Sequence, residues 1–316
     1  MNSIAVGIDV SKDHLDVYID RLEGTKRLKF GNDPQGIRLL GEHLGSGSFV
    51  IALEASGRYE APVRHFLEKT GRVVRMQNPR LVRRLAQGLG VQAKTDLVDA
   101  QLLAHTLELC PRGEARSQER ERLGDLSRTI SMLKRERASH LRRLQVPGLA
   151  GAVSKSLGRL VKVLAKEIEL LEKAFEKDVA ESSLEENYRL SRSVDGVGPA
   201  LARTAVCELP QIIQGWSGRQ LGSYAGLVPY DNTSGKRKSP ARLGRHGNIH
   251  LKAALYMPAM NLISRDTWAR SLYSKLRSKG LAHQQAIVPV MRKLLLQIVA
   301  VLKRGSAWQT EPPQRT

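Results

Sequence analysis

The sequence is short of cysteine, of acid, of aromatic side chains and of long apolar runs, and each shortage closes off a class of protein. Two cysteines in 316 residues, Cys110 and Cys207, give neither a disulfide framework nor a metal-ligand spacing, which suits a reducing compartment. No apolar run reaches about 18 residues, so no helix is expected to span a membrane. The first residues lack a basic stretch followed by an apolar core, so no signal peptide is expected, and a cytoplasmic location follows as the expectation. Acid is outnumbered: 31 Asp and Glu stand against 51 Lys and Arg, a net charge of +20. A chain that basic calls for a polyanionic partner, a nucleic acid or an anionic membrane surface. Clustering favours the nucleic acid. Arg72 to Lys94 holds six Lys and Arg with no acid, among them Arg80, Arg83 and Arg84, and Lys236 to Lys252 holds another six, with His246 and His250 added. Only 14 residues are Phe, Trp or Tyr, fewer than readout by base stacking asks for.

What is present divides into three parts and a tail. Residues 1–112 read as α/β. IAVGIDV is a buried strand, HLDVYID alternates as a second, RLKFGN is a third, and FVIALEA and VVRMQN follow, the last closed by Pro79. GIRLLGEHL and APVRHFLEKT have helical spacing, and a further helix is expected from Asp96 to Leu109. Strands separated by helices imply a mixed sheet with helices packed on it. Residues 113–185 change character. Leu123, Leu126, Ile130, Leu133, Leu141 and Leu144 lie mostly three or four apart, the pattern breaks at Pro147, and Leu157, Leu160, Leu164, Ile168, Leu171 and Phe175 resume it. Two long amphipathic helices joined by a turn make a hairpin or coiled-coil arm, which either mediates dimerisation, the favoured expectation, or packs on its own chain. Residues 186–309 read as mostly helical, and 310–316 as a disordered tail. Within the third part, LSRSVDGVGPALARTAVCEL reads as a helix, a GVG turn and a second helix. That is a helix-hairpin-helix pattern, whose turn at Gly196 and Gly198 either meets a phosphate or simply joins two packed helices.

The chemistry rests on acids and one serine. Asp9 stands in an apolar strand, where a lone carboxylate is costly without a partner. Glu54 ends another strand, and Asp96 and Asp99, three apart, share a helix face. Any one of these acids reads as a turn cap, a solvated strand end or a helix N-terminal acid. Together, in strand–strand–helix order on a +20 chain, they read as hard oxygen ligands for one or two Mg²⁺ acting on a phosphate. Ser234, followed by Gly235 and by Lys236, Arg237, Lys238, Arg242 and Arg245, is a hydroxyl among cations. It suits either attack on a phosphodiester or plain phosphate binding, and Ser239 is a second hydroxyl in the same loop.

The segments GIDVSKDHLDV, IALEASGRYE, AKTDLVDAQLLA, SVDGVGPALA and LGSYAGLVPYDNTSGKRKSPARLGRHGNIHLKAALYMPAM, in this order over nearly the whole chain, resemble the transposases of the bacterial insertion-sequence family one-ten, which include the Piv-type DNA invertases. The resemblance implies a RuvC-like, RNase H-like first domain with a DEDD acid set at Asp9, Glu54, Asp96 and Asp99. It implies a nucleophilic serine at Ser234 in the last domain. It further implies Mg²⁺, donor and target DNA, a guiding bridge RNA, a homo-oligomer (dimer or tetramer) whose active site is shared between subunits, and a nucleoid-associated life in the bacterial cytoplasm. A RuvC-like nuclease, a non-catalytic nucleic-acid-binding or RNA-chaperone protein and an actin-like or sugar-kinase ATPase are the rival readings of the residues.

Overall fold

Alternation of apolar side chains along the first strand decides the architecture of the N-terminal part. The computed structural model describes residues 4–20, 24–54, 57–91, 96–109, 117–210, 213–230, 233–234, 237–238, 242–243, 247–265 and 267–309. The chain forms two units, Met1–Arg116 and Ser117–Thr316. In the first, β1 (Ile4–Val10), β2 (His14–Ile19) and β3 (Lys26–Gly31) are followed by α1 (Pro34–Leu44), β4 (Phe49–Glu54), α2 (Ala61–Lys69), β5 (Val73–Gln77), α3 (Pro79–Gly88) and α4 (Asp96–Leu109). The sheet runs β3-β2-β1-β4-β5, antiparallel among the first three strands and parallel from β1 through β4 to β5.

Successive residues of a strand point to opposite faces. Val6, Ile8 and Val10, with Leu15, Val17, Ile19, Ile51 and Leu53, fill one face and are covered by Ile37, Leu40 and Leu44 of α1 and Val63 and Leu67 of α2. The other face is built of small residues. Ala5 packs with Tyr18, Ala100 and Ala104, and Ala52 with Leu102, Leu103 and Val82. These small side chains let α4 lie directly on the strands. At Gly7 the approach is so close that a Cβ would sit 1.9 Å from the Ala100 carbonyl oxygen and 2.6 Å from the Ala104 nitrogen. Helix α3 is a departure from the sequence reading, which had Pro79 close a strand and assigned nothing after it. Pro79 instead opens the helix, and the Asn78 side chain accepts from the Arg80 N–H as its cap.

The second unit is mostly helical. Helices α5 (Gln118–Leu144) and α6 (Gly151–Ala180) pack on each other, then come α7 (Glu185–Ser193), α8 (Pro199–Glu208) and α9 (Gly218–Tyr224). Four two-residue strands, β6 (Pro229–Tyr230), β7 (Thr233–Ser234), β8 (Arg237–Lys238) and β9 (Arg242–Leu243), precede α10 (Ile249–Ser264), α11 (Trp268–Ser278) and α12 (His283–Arg304). Helix α12 is long and apolar enough to cross a bilayer, contrary to the expectation of no such stretch. Its apolar side chains are interior: Ile287, Val290, Met291, Leu294, Leu295 and Ile298 are buried in the main core of the unit with Leu201, Leu255 and Leu262. A broad apolar face set into the core accounts for that composition, with Lys293 left exposed on the other side.

Candidate functional site

The strand register draws a polar row across the small-residue face of the sheet. Ile8 pairs with Leu53, so the next residues, Asp9 and Glu54, fall side by side on neighbouring strands at the same end, both on the face that carries Gly7 and Ala52. Neighbouring strands lie about 4.8 Å apart. On the other side of β1, Asp9 is the cross-strand partner of Asp16, and Asp16 is that of Lys29, with which it forms an ion pair at 3.9 Å. Beyond Glu54 stands Gln77, whose buried amide nitrogen has no partner among the described residues. Asp16 and Gln77 were not singled out from the sequence, although the alternation of HLDVYID places Asp16 opposite Leu15 and Val17. Asp9, Glu54 and Asp99 are all half-buried.

Helix α4 crosses this same face, and the contact of Ala100 with Gly7 fixes where. Asp96 and Asp99 lie in its first turn, just before that contact. The backbone of Asp96 is described and its side chain lies outside the described atoms. Among the described residues no three Asp, Glu, His or Cys side chains gather closely enough to hold a metal ion. In kind the expected donor set suits a divalent cation, being carboxylate oxygens only, and in placement Asp9 and Glu54 are adjacent in register.

The exits of the two acid-bearing strands are tied by Asn32, another residue sequence reading passed over. Its side-chain amide donates to the Ser11 carbonyl at 2.9 Å, just beyond β1, and to the Tyr59 carbonyl at 3.1 Å, just beyond β4. Between Glu54 and Tyr59 the backbone takes two successive left-handed conformations, at Gly57 and, unusually for a residue with a side chain, at Arg58 (φ 67° and 78°).

The serine lies on a hairpin. Pro229 pairs with Leu243 and Tyr230 with Arg242 at its base, then Thr233 with Lys238 and Ser234 with Arg237 nearer the tip, so Ser234 and an arginine face each other across two intervening residues. Only the backbones of Ser234, Arg237, Lys238 and Arg242 are described, and Gly235, Lys236, Ser239 and Arg245 lie outside the described residues. The hairpin's base is clamped to the core. The Asn248 N–H donates to the Tyr224 carbonyl at 2.7 Å, and Gly247 (φ 89°) lies so near the Gly226 backbone that a Cβ would meet its nitrogen at 2.3 Å. Glu208, 3% exposed, holds this base: its carboxylate accepts from Asn248 at 2.8 Å and from Arg128 of α5 at 2.7 Å, and its carbonyl accepts from the Tyr224 hydroxyl at 2.6 Å.

Arg83 and Arg84 are exposed on α3, opposite the buried Val82, as is Arg80. They share one basic helix surface with no acid in α3. In the α7–α8 turn, Gly196 (φ 82°) has a structural reason to be glycine: a Cβ there would strike the Leu262 side chain at 2.7 Å. Gly198 is open and stands at the N-cap of α8.

Comparison with known proteins covers both units. Residues 6–146 match a family described as transposase (DEDD_Tnp_IS110), and residues 188–274 match the transposase IS116/IS110/IS902 family. The chain is thus an enzyme of DNA recombination, a transposase by both of its domains. It belongs to the IS110 family. It is 25% identical over 321 residues to the pilin gene-inverting protein of Moraxella lacunata, covering 96% of this chain and 97% of that one. The IS110 43.6 kDa protein of Streptomyces coelicolor is 32% identical over 124 residues, 38% of this chain and 30% of that protein. A solved structure, T. thermophilus RuvC in complex with a Holliday junction substrate, aligns with 35% of this chain and 96% of its own at 16% identity and a TM-score of 0.26.

Proposed function

We propose that this chain cuts and rejoins DNA through a serine–phosphate link, with the carboxylates Asp9, Glu54, Asp96 and Asp99 holding Mg²⁺. The observation that carries the reading is the register that sets Asp9 beside Glu54 on the face crossed by α4, taken with a hairpin that sets Ser234 across from Arg237. An RNase H-like first domain accords with the sheet order.

The Ser234 hydroxyl attacks the scissile phosphorus, its oxygen forms the new bond to phosphorus, and the bond to the 3′-oxygen breaks. The hydroxyl proton leaves to solvent or a nearby base, and the departing oxygen takes up a proton to become a free 3′-hydroxyl. Reversal by a 3′-hydroxyl from another strand rejoins the backbone and restores the serine. Bound Mg²⁺ supplies charge stabilisation at the phosphate oxygens. Arg237, Lys238, Arg242, Lys236 and Arg245 add positive charge around the serine, and Arg80, Arg83 and Arg84 hold backbone phosphates. The α7–α8 turn at Gly196 and Gly198 serves as a helix-hairpin-helix contact.

The partners are donor and target DNA and a bridge RNA that supplies sequence choice, since few aromatic residues are available to read unpaired bases. The chain works as a homo-oligomer through its helical hairpin. In support, Val153, Leu160, Val163 and Leu170 form an exposed apolar flank on α6 at heptad-like intervals. Similarity to a gene-inverting protein over nearly the full length favours a second reading within the same chemistry, site-specific inversion in place of transposition.

The test is a suicide DNA substrate with Mg²⁺. The wild-type chain is expected to leave a protein–DNA adduct that survives denaturation. Ser234→Ala is expected to abolish the adduct while retaining DNA binding. An adduct that persists in Ser234→Ala and vanishes in Ser239→Ala moves the nucleophile. Cleavage with no adduct in the wild type makes the enzyme a hydrolytic nuclease.

A further inference from the structure

The α5–α6 hairpin is electrically split along its length. In its outer half, residues 134–166, nine Lys and Arg stand with one acid, Glu136. In its inner half, residues 117–133 and 167–180, eight acids stand with five Lys and Arg. The inner charges are engaged: Arg122 pairs with Asp178 at 3.3 Å, Lys173 with Glu169 at 2.7 Å, and Glu172 with both Lys134 and Arg203 at 2.7 and 3.0 Å. In the outer half, Lys155, Arg159, Lys162 and Lys166 are all exposed and join no ion pair among the described residues.

Their spacing is ordered. The intervals of four, three and four residues put all four cations within a roughly 60° arc of α6, at 100° per residue. The buried residues of the helix, Leu157, Ile168, Phe175 and Val179, lie on the opposite side, so the cations form a ridge along its outermost line. From Lys155 to Lys166 the ridge rises about 17 Å at ~1.5 Å per residue. Packing does not require it, since it touches no core, and four like charges in a row repel one another without a counter-charge. An anionic partner relieves that repulsion.

We infer that the ridge Lys155–Arg159–Lys162–Lys166 is a docking surface for the phosphate backbone of double-stranded DNA, outside the acid and serine sites. The inference rests on the recombinase reading for its substrate and goes beyond it in naming the surface. A duplex fits better than a single strand for two reasons. Residues 134–166 contain no Phe, Tyr or Trp on which an unpaired base could stack. A rigid straight ridge also matches the evenly spaced backbone of a stiff helix, which presents one phosphate per about 3.4 Å of axis on each strand. Such a contact fixes position and orientation and carries no base readout.

The experiment compares the full-length wild type with the fourfold variant Lys155→Gln, Arg159→Gln, Lys162→Gln and Lys166→Gln, measuring binding to a 40-base-pair DNA duplex across a salt series. Circular dichroism and melting are expected to match the wild type, since glutamine suits a helix and the ridge faces water. The slope of log K against log salt is expected to become shallower by up to about 3.6, at ~0.9 for each phosphate no longer neutralised, with affinity at least roughly tenfold weaker at moderate salt. An unchanged slope overturns the inference, as does a changed oligomeric mass with unchanged DNA binding, which would make the ridge a protein contact. A larger loss for duplex RNA than for duplex DNA overturns the assignment to DNA. A wild-type chain that binds no DNA instead overturns the recombinase reading itself.

Discussion

Replacing Gly7 by alanine adds one methyl group where the sheet and α4 touch, and should disable the enzyme without altering any acid. The added Cβ would lie 1.9 Å from the Ala100 carbonyl oxygen and 2.6 Å from the Ala104 nitrogen, and both are backbone atoms with no rotamer to swing away. Restoring an ordinary contact distance requires α4 to retreat from β1 by about 1.5 Å. Overpacking of a core costs about 1–3 kcal/mol, and backbone neighbours place this site toward the upper end. The functional loss should be larger than the stability loss suggests. Asp96 and Asp99 ride on the first turn of α4, immediately before Ala100, whereas Asp9 and Glu54 stay with the strands. A misplacement of ~1 Å at a reacting centre can cost about 100-fold in rate. The assay pairs urea denaturation with Mg²⁺-dependent cleavage of a DNA substrate, under conditions where the variant is fully folded. Gly158→Ala is the control: it lies within α6, has nothing within 4 Å of the added carbon, and should be neutral or slightly stabilising. A Gly7→Ala protein with wild-type stability and cleavage would mean that α4 does not rest on β1 as described, and the joint placement of the four acids would fall with it.

Two further expectations concern the second unit. Glu208→Ala removes the acceptor of both Asn248 and Arg128; Arg128 keeps Asp125 and is partly exposed, so the orphaned Asn248 amide dominates, for a loss of about 1–3 kcal/mol. Hydrogen exchange at residues 229–243 should quicken in that variant and recover in part in Glu208→Gln, and exchange that stays slow would refute the clamp. The second expectation concerns pH. Burial pushes the Glu172 carboxyl up, but the hydrogen bonds and charges of Lys134 and Arg203 outweigh it and hold the group below its ordinary value of 4.5. A carboxyl depressed in the folded state stabilises it at all pH above that ordinary value, and the contribution fades as pH falls through the lower, folded-state value. Melting between pH 7 and 3 should therefore show a smaller acid-side decline in Glu172→Gln than in the wild type, and parallel curves would contradict the pairing.

Elements with strong periodicity were legible in the chain, and those fixed by distant partners were not. The five strands of the sheet and helices α1, α2, α5 and α6 follow from spacing, whereas α4, expected as a helix, has no single apolar stripe to mark it because it is buried around most of its circumference. Helix α3 was hidden by reading Pro79 as a terminator, when asparagine followed by proline is equally a cap and first turn. The strands around Ser234 are two residues each, too short for any alternation to register. The apolar length of α12 was missed because Lys and Arg interrupt it at Arg292 and Lys293.

An acid in an apolar run occurs at two places in the chain, and only one of them stood out in the sequence. IAVGIDV and TAVCEL both carry a carboxylate after small and apolar residues. In the first, alternation turns Asp9 onto the small-residue face, where it stands half-buried beside Glu54. In the second, Glu208 is buried deep in the unit by Arg128, 80 residues earlier, and Asn248, 40 residues later. Both obey one rule, that a carboxylate in an apolar setting needs partners. Glu208 is met by a cation and an amide of the protein and closes a structural clamp. Asp9 lies next to another carboxylate, a neighbour that raises the cost of its charge, and a shared cation would lower that cost for both. The same pattern in a sequence thus leads to different surroundings, and what the fold sets beside the carboxylate depends on residues that no local reading connects.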